Sequence, residues 1–122
     1  MAVGGPGREP RHRRGGLASG WDLARDSVNL ALDAVPRGIE LAQVQEFLAS
    51  LEGVSEVHDL HIWAMSTSET ALTAHLVRPG GHDDAFLHSV CEQLSRRFHI
   101  HHATLQVETS AGICRLAPAD VV

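Results

Sequence analysis

Apolar and polar positions follow two different periods along this chain. Over residues 21–35 the apolar residues recur at helical spacing: Trp21, Ala24, Val28, Leu32 and Val35 form one stripe, flanked by Leu23 and Leu30, and Pro36 and Gly38 end it. Leu41, Val44, Leu48 and Leu51 repeat at i, i+3, i+7 and i+10 and predict a second helix, closed by Gly53. The period then drops to two. Residues 54–64, rich in Val and Ile, read as a strand, Ser66-Thr67-Ser68 as a turn, and residues 70–77 as the hairpin partner, stopped by Pro79-Gly80-Gly81. A third helix is predicted from about residue 82 to 98, with Phe86, Leu87, Val90, Leu94 and Phe98 inward. Its first turn carries Asp83 and Asp84 and its last Arg96 and Arg97, which suits the helix dipole. Residues 103–109 alternate again, with Ala103, Leu105 and Val107 on one face and Thr104, Gln106 and Glu108 on the other. After the first helix the order is α-β-β-α-β. An α+β fold, with two helices on one face of a three-stranded sheet and an extra N-terminal helix before them, satisfies every apolar stripe.

Composition narrows this to one small domain: 122 residues, 43% apolar and 20% charged. Residues 1–20 hold four Arg against one acid, and six of the eleven Gly. They are expected to form a disordered basic tail, either incidental or an arm touching anionic lipid or RNA. The other 102 residues carry six Arg against fourteen acids, a formal charge of −8. The overall −5 disfavours nucleic acid as the main partner. Two Cys are too few for a disulfide framework and fit a reducing compartment. No run approaches the roughly 18 apolar residues that span a bilayer, and the first residues lack a secretory apolar core.

The chemistry lies in the histidines. There are nine, in a chain with neither Lys nor Tyr, and eight of them fall between positions 58 and 102. His58 and His61 bracket the first strand. His75 in the second faces away from the helices if Leu72, Ala74 and Leu76 face them. Glu108 shares that open side by alternation, and His101 and His102 lie at the entry to the last strand. Imidazoles with a carboxylate, and a thiolate from Cys114 if it folds back, make a zinc-like donor set. Each residue also has a plainer reading. His82, His88 and His99 suit solvated surface. His61 suits a structural hydrogen bond as well as a metal contact, Cys91 a small buried hydrophobe, and Cys114 an inert thiol as well as a ligand. No Cys-x-x-Cys or His-Glu-x-x-His spacing occurs. No nucleophile motif or phosphate loop is present either, so the chain reads as a binding module, not an enzyme, with no small-molecule substrate.

Three blocks, VHDLHIW at 57–63, ALTAHLV at 71–77 and FHIHHATLQVE at 98–108, resemble the cytoplasmic C-terminal domain of the cation diffusion facilitators. That family comprises zinc, cobalt, cadmium and manganese antiporters. GWDLARDSVNLALDAVPRGIEL at 20–41 resembles the stretch joining that family's last membrane helix to its soluble domain. The resemblance implies a ferredoxin-like or metallochaperone-like fold, a cytoplasmic location, and a two-fold homodimer that cations tighten in support of transport. It also implies metal ligands at His58, His75, His101 and Glu108, with Cys114 added in some members. Zn²⁺ is the expected ion, with Co²⁺, Cd²⁺, Ni²⁺ and Cu²⁺ suiting the same donors. Two departures stand out: Gln106 where some members carry His, and no His at Phe86 on the third helix, with His88 two positions away. The organisation expected is a tail over 1–20, a connector helix over 21–36, the metal-binding domain over 37–114 and a flexible end over 115–122. Without a membrane helix the chain would not transport by itself. It is expected to serve a membrane transporter domain as the regulatory part of a longer protein or, alternatively, to act as a free-standing soluble metal buffer or sensor.

Overall fold

The computed structural model describes residues 12–32 and 34–112. The element order is α1 (His12–Ala31), α2 (Leu41–Ala49), β1 (Glu56–Ala64), β2 (Thr70–Val77), α3 (Asp84–Phe98) and β3 (His102–Glu108). This is the expected α-β-β-α-β order after a first helix. That helix starts nine residues before Trp21, because Arg13, Arg14, Leu17 and Ala18 are strong helix formers that outweigh Gly15 and Gly16. It stops at Ala31, four residues short of Val35. Residues 12–20, expected in the tail, are thus helical; residues 1–11 and 113–122 lie outside the described part.

The sheet runs β1-β2-β3, with β2 central. β1 and β2 pair antiparallel through a short turn, whereas β2 and β3 pair parallel, with α3 as the crossover that parallel pairing requires. Alternate residues of β2, Leu72, Ala74 and Leu76, join Val44, Phe47 and Leu48 of α2, Val90 and Leu94 of α3, and Leu60 and Ile62 of β1 in one core. Both helices therefore cover the same face, and Phe47 and Phe98 meet across their seam with ring centroids 5.6 Å apart. The other sheet face is left open.

Two caps set α3. Asp83 precedes it, and its carboxylate accepts from the Phe86 N–H at 2.8 Å. His99 ends it in the left-handed conformation, φ 57°, and the turn drops Ile100 into the core. His99, expected on the solvated surface, is exposed and also serves as the helix stop. No helix among the described residues is long and apolar enough to cross a membrane, and Trp21, Leu23 and Val28 of α1, with Leu32 just after it, are exposed. Arg37 ties α1 to the following connection through Asp26 at 2.8 Å.

Leu76, near the end of the middle strand, is fully buried. Leu76→Ala is expected to cost about 2–5 kcal/mol by urea denaturation, from lost transfer energy plus the cavity it leaves.

Candidate metal centre

An irregularity in β1 organises the site. In a regular strand, His58 and His61, three residues apart, would point to opposite faces. The register runs from His58↔His75 to His61↔Thr73, so Asp59 and Leu60 together face only Ala74 across the ladder. This β-bulge resets the alternation. Val57, Leu60 and Ile62 all turn toward the helices, while His58 and His61 both turn to the open face. Asp59 takes up the extra residue with φ 52°, a left-handed conformation that Asp tolerates better than most side chains.

On the open face three strands converge. His58 comes from β1, His75 from its direct partner position on β2, and Glu108 from the end of β3. His58 Nε2 lies 3.1 Å from Glu108 Oε2, and His75 Nδ1 lies 3.2 Å from Oε1. The two imidazoles stand edge to face, 5.1 Å apart at 80°. The Gln106 amide donates to Oε1 at 3.0 Å. Although it sits on the open face, the Glu108 side chain is only 2% exposed, because the two rings and the amide cover it. One donor atom from each of His58, His75 and Glu108 lies within 4.8 Å of the others.

One atom in this group lacks a partner. His75 Nδ1 is buried and makes no hydrogen bond, since its contact with Glu108 lies off the hydrogen-bonding direction. Leaving a polar nitrogen so placed costs about 1–3 kcal/mol. Two imidazoles and a carboxylate, with an unused nitrogen lone pair, fit a divalent cation of the zinc type, which takes N and O donors in a small tetrahedral shell.

Beyond the His75 ring lies Asp59. Its Oδ2 is 3.6 Å from His75 Nε2, and its Oδ1 is 2.9 Å from His61 Nε2. The hydrogen bond from His61 holds the Asp59 carboxyl below its ordinary value, helped by the nearby charges of His61, His75 and His58 and opposed by slight burial. Asp59 was not among the expected site residues. The signal for it is in the sequence: apolar positions 57, 60 and 62 break the period of two by one residue, which marks a bulge between His58 and His61.

The other expected ligands stand apart. His101 precedes β3 and bonds through Nδ1 to Ser95 Oγ at 2.8 Å. Seven residues of extended chain separate it from Glu108, roughly 20 Å, so a single chain does not bring the two together. Cys114 lies outside the described residues. His102 pairs with Glu69 at 2.6 Å on the exposed edge, His82 and His88 are exposed, and Cys91 is half-buried on α3.

Residues 36–110 match a protein family described as cation efflux protein, cytoplasmic domain. Similar proteins include the human proton-coupled zinc antiporter SLC30A2, 32% identical over 93 residues, covering 75% of this chain and 25% of the relative. The metal cation efflux system protein CzcD of Cupriavidus metallidurans is 34% identical over 90 residues, covering 72% of this chain and 28% of the relative. The cadmium, cobalt and zinc/H(+)-K(+) antiporter of Bacillus subtilis is 30% identical over 102 residues, 78% of this chain and 32% of the relative. This chain thus spans about a quarter to a third of the length of these relatives. Among solved structures, the metal-bound C-terminal domain of the CzcD transporter is 34% identical with a TM-score of 0.49, covering 57% of this chain and 99% of that one. The zinc form of the zinc transporter CzrB is 26% identical with a TM-score of 0.49, covering 64% and 93%.

The lowered Asp59 carboxyl has a definite sign. Its contribution to stability is present above the ordinary value of 3.8 and is lost as pH falls through the lower native value. A carbon-13 NMR titration is expected to place Asp59 below 3.8, and His61→Ala, which removes the largest cause, to raise it toward that value.

Proposed function

Because the chain belongs to the cation efflux protein family and matches its cytoplasmic domain, we propose that it binds a divalent cation, zinc first, and tightens as a homodimer when it does. The buried, unbonded Nδ1 of His75, standing with His58 and Glu108, carries this reading. In an apolar core such an atom would be a defect; beside a second imidazole and a carboxylate it is a ligand in waiting. The relatives named above are antiporters and efflux proteins for zinc, cadmium and cobalt, or for metal cations generally, and the same donors suit those ions.

The regulatory part of the proposal rests on charge. Residues 21–122 carry a formal −8, so two copies repel as they approach. A bound cation supplies positive charge and coordinate bonds at the open sheet face. Charge relief and coordination together shift an open–closed equilibrium by a few kcal/mol, about a tenfold to hundredfold change in population. His101, away from the cluster in one chain, and Cys114 remain ligands that a second copy or a folded-back segment would add. Transport itself is assigned to the remainder of a longer protein, with this domain as its cytoplasmic regulator.

Isothermal titration with zinc at neutral pH is expected to give saturable binding. At mildly acidic pH the affinity is expected to fall, because protons compete with the cation for the ligating nitrogens. His75→Ala and Glu108→Ala are each expected to abolish the tight phase, and zinc to increase the dimer fraction in sedimentation velocity. Absence of saturable binding by the unaltered protein at neutral pH overturns the reading.

A further inference from the structure

Two features of Asp59 are unexplained by the ligand set. It occupies a left-handed backbone position, φ 52°, and its two carboxylate oxygens are divided between two histidines. Oδ1 is held by His61 Nε2 at 2.9 Å, which anchors the carboxylate from the outer side. Oδ2 is left facing His75 Nε2 at 3.6 Å, an ion-pair distance just beyond hydrogen-bonding range. The opposite nitrogen of the same ring, Nδ1, is the buried atom without a bond. A neutral imidazole carries one N–H and one lone pair. Each ring nitrogen faces a carboxylate. Glu108 Oε1 is the nearer, 3.2 Å from Nδ1, but lies off the hydrogen-bonding direction. Asp59 Oδ2 can accept from an N–H at Nε2, which leaves the lone pair on Nδ1 beside Glu108.

We propose that Asp59 is a positioning residue for this site: it holds His75 as the Nε2–H tautomer, with Nδ1 presented for coordination. The inference rests on the cation-binding reading above and adds a residue outside the ligand set. Loss of electron density from the ring on coordination makes Nε2–H a stronger donor, so a displacement of less than 1 Å closes the 3.6 Å gap to a charge-assisted hydrogen bond. The bulge serves both ends of this arrangement. It turns His58 and His61 to one face, and it puts between them the short acidic side chain that reaches the neighbouring strand. His61, with no place in the ligand cluster, gains a role as the clamp on Oδ1.

The test uses Asp59→Gly and Asp59→Asn. Gly keeps the left-handed backbone and removes the carboxylate, so any role of the bulge alone survives the change. Asn keeps an acceptor oxygen and tolerates the same backbone. In the zinc-free protein at about pH 8, nitrogen-15 shifts of the His75 ring are expected to show the Nε2–H tautomer, and Asp59→Gly to show a mixture. Zinc affinity by titration calorimetry is expected to fall about 10–100-fold in Asp59→Gly, with partial rescue in Asp59→Asn. Unaltered affinity and tautomer in Asp59→Gly overturn the proposal. Lost affinity with an unchanged tautomer distribution also overturns it, since the carboxylate would then be a direct ligand. Failure of the unaltered protein to bind zinc would sink the cation-binding reading instead, and the zinc-free tautomer comparison would still decide whether Asp59 orients the ring.

Discussion

The extra residue at Asp59 and Leu60 lets β1 meet two demands that a regular strand cannot meet together. The core needs Val57, Leu60 and Ile62 against the helices, and the open face needs His58 opposite His75 with His61 beside it. With strict alternation, either Leu60 or Val57 would leave the core, exposing a side chain worth about 1.5–3 kcal/mol when buried. The bulge removes that conflict at the cost of one left-handed residue, of order 1–3 kcal/mol. The fold thus accepts a local backbone cost in order to keep core and site on the same strand.

The buried carboxylate of Glu108 is the second constraint. It sits at 2% exposure on the sheet face that the helices leave uncovered, in contact with the two imidazoles and the Gln106 amide. A polar group network of this kind is high-stakes. Each member must be satisfied for the burial to be tolerable, and here one nitrogen is not. Apolar residues of the same volume would serve stability as well or better. The arrangement makes sense as a set of donors held ready, with the parallel β2–β3 pairing fixing the carboxylate opposite the hairpin's histidines.

Much of this was legible in the sequence, for reasons that can be named. The helices and strands followed from periodicity because their apolar stripes are long and bounded by Gly, Pro or capping residues; β2 in particular occupies the predicted residues 70–77. The convergence of His58, His75 and Glu108 on the open face followed from alternation along β2 and β3, two regular strands. What alternation could not deliver was β1, where parity changes midway, so the place of Asp59 between His61 and His75 escaped notice. The start of α1 was missed because Gly15 and Gly16 look like breakers, whereas the Arg, Leu and Ala around them sustain a helix. The histidine excess also divides on structural grounds. His99 stops α3, His101 bonds Ser95, His102 bonds Glu69, and among the described residues two imidazoles, His58 and His75, enter the donor cluster. Composition signalled the chemistry without saying which residues carried it.

The three donors belong to three different strands, and this couples ligand binding to folding. In the unfolded chain His58 and Glu108 are fifty residues apart, so no comparable site exists there. A cation held by all three binds the native state alone, and its stabilisation grows as RT ln(1 + [L]/Kd), about 2.7 kcal/mol at a hundredfold excess over Kd. Its bonds also cross the whole sheet, from edge strand β1 through β2 to edge strand β3. Sheet edges are where opening is easiest and where a second copy has unpaired backbone to meet. Occupancy would therefore stiffen the open face at its two free margins, and no separate transmitting element is needed between the site and the sheet edges.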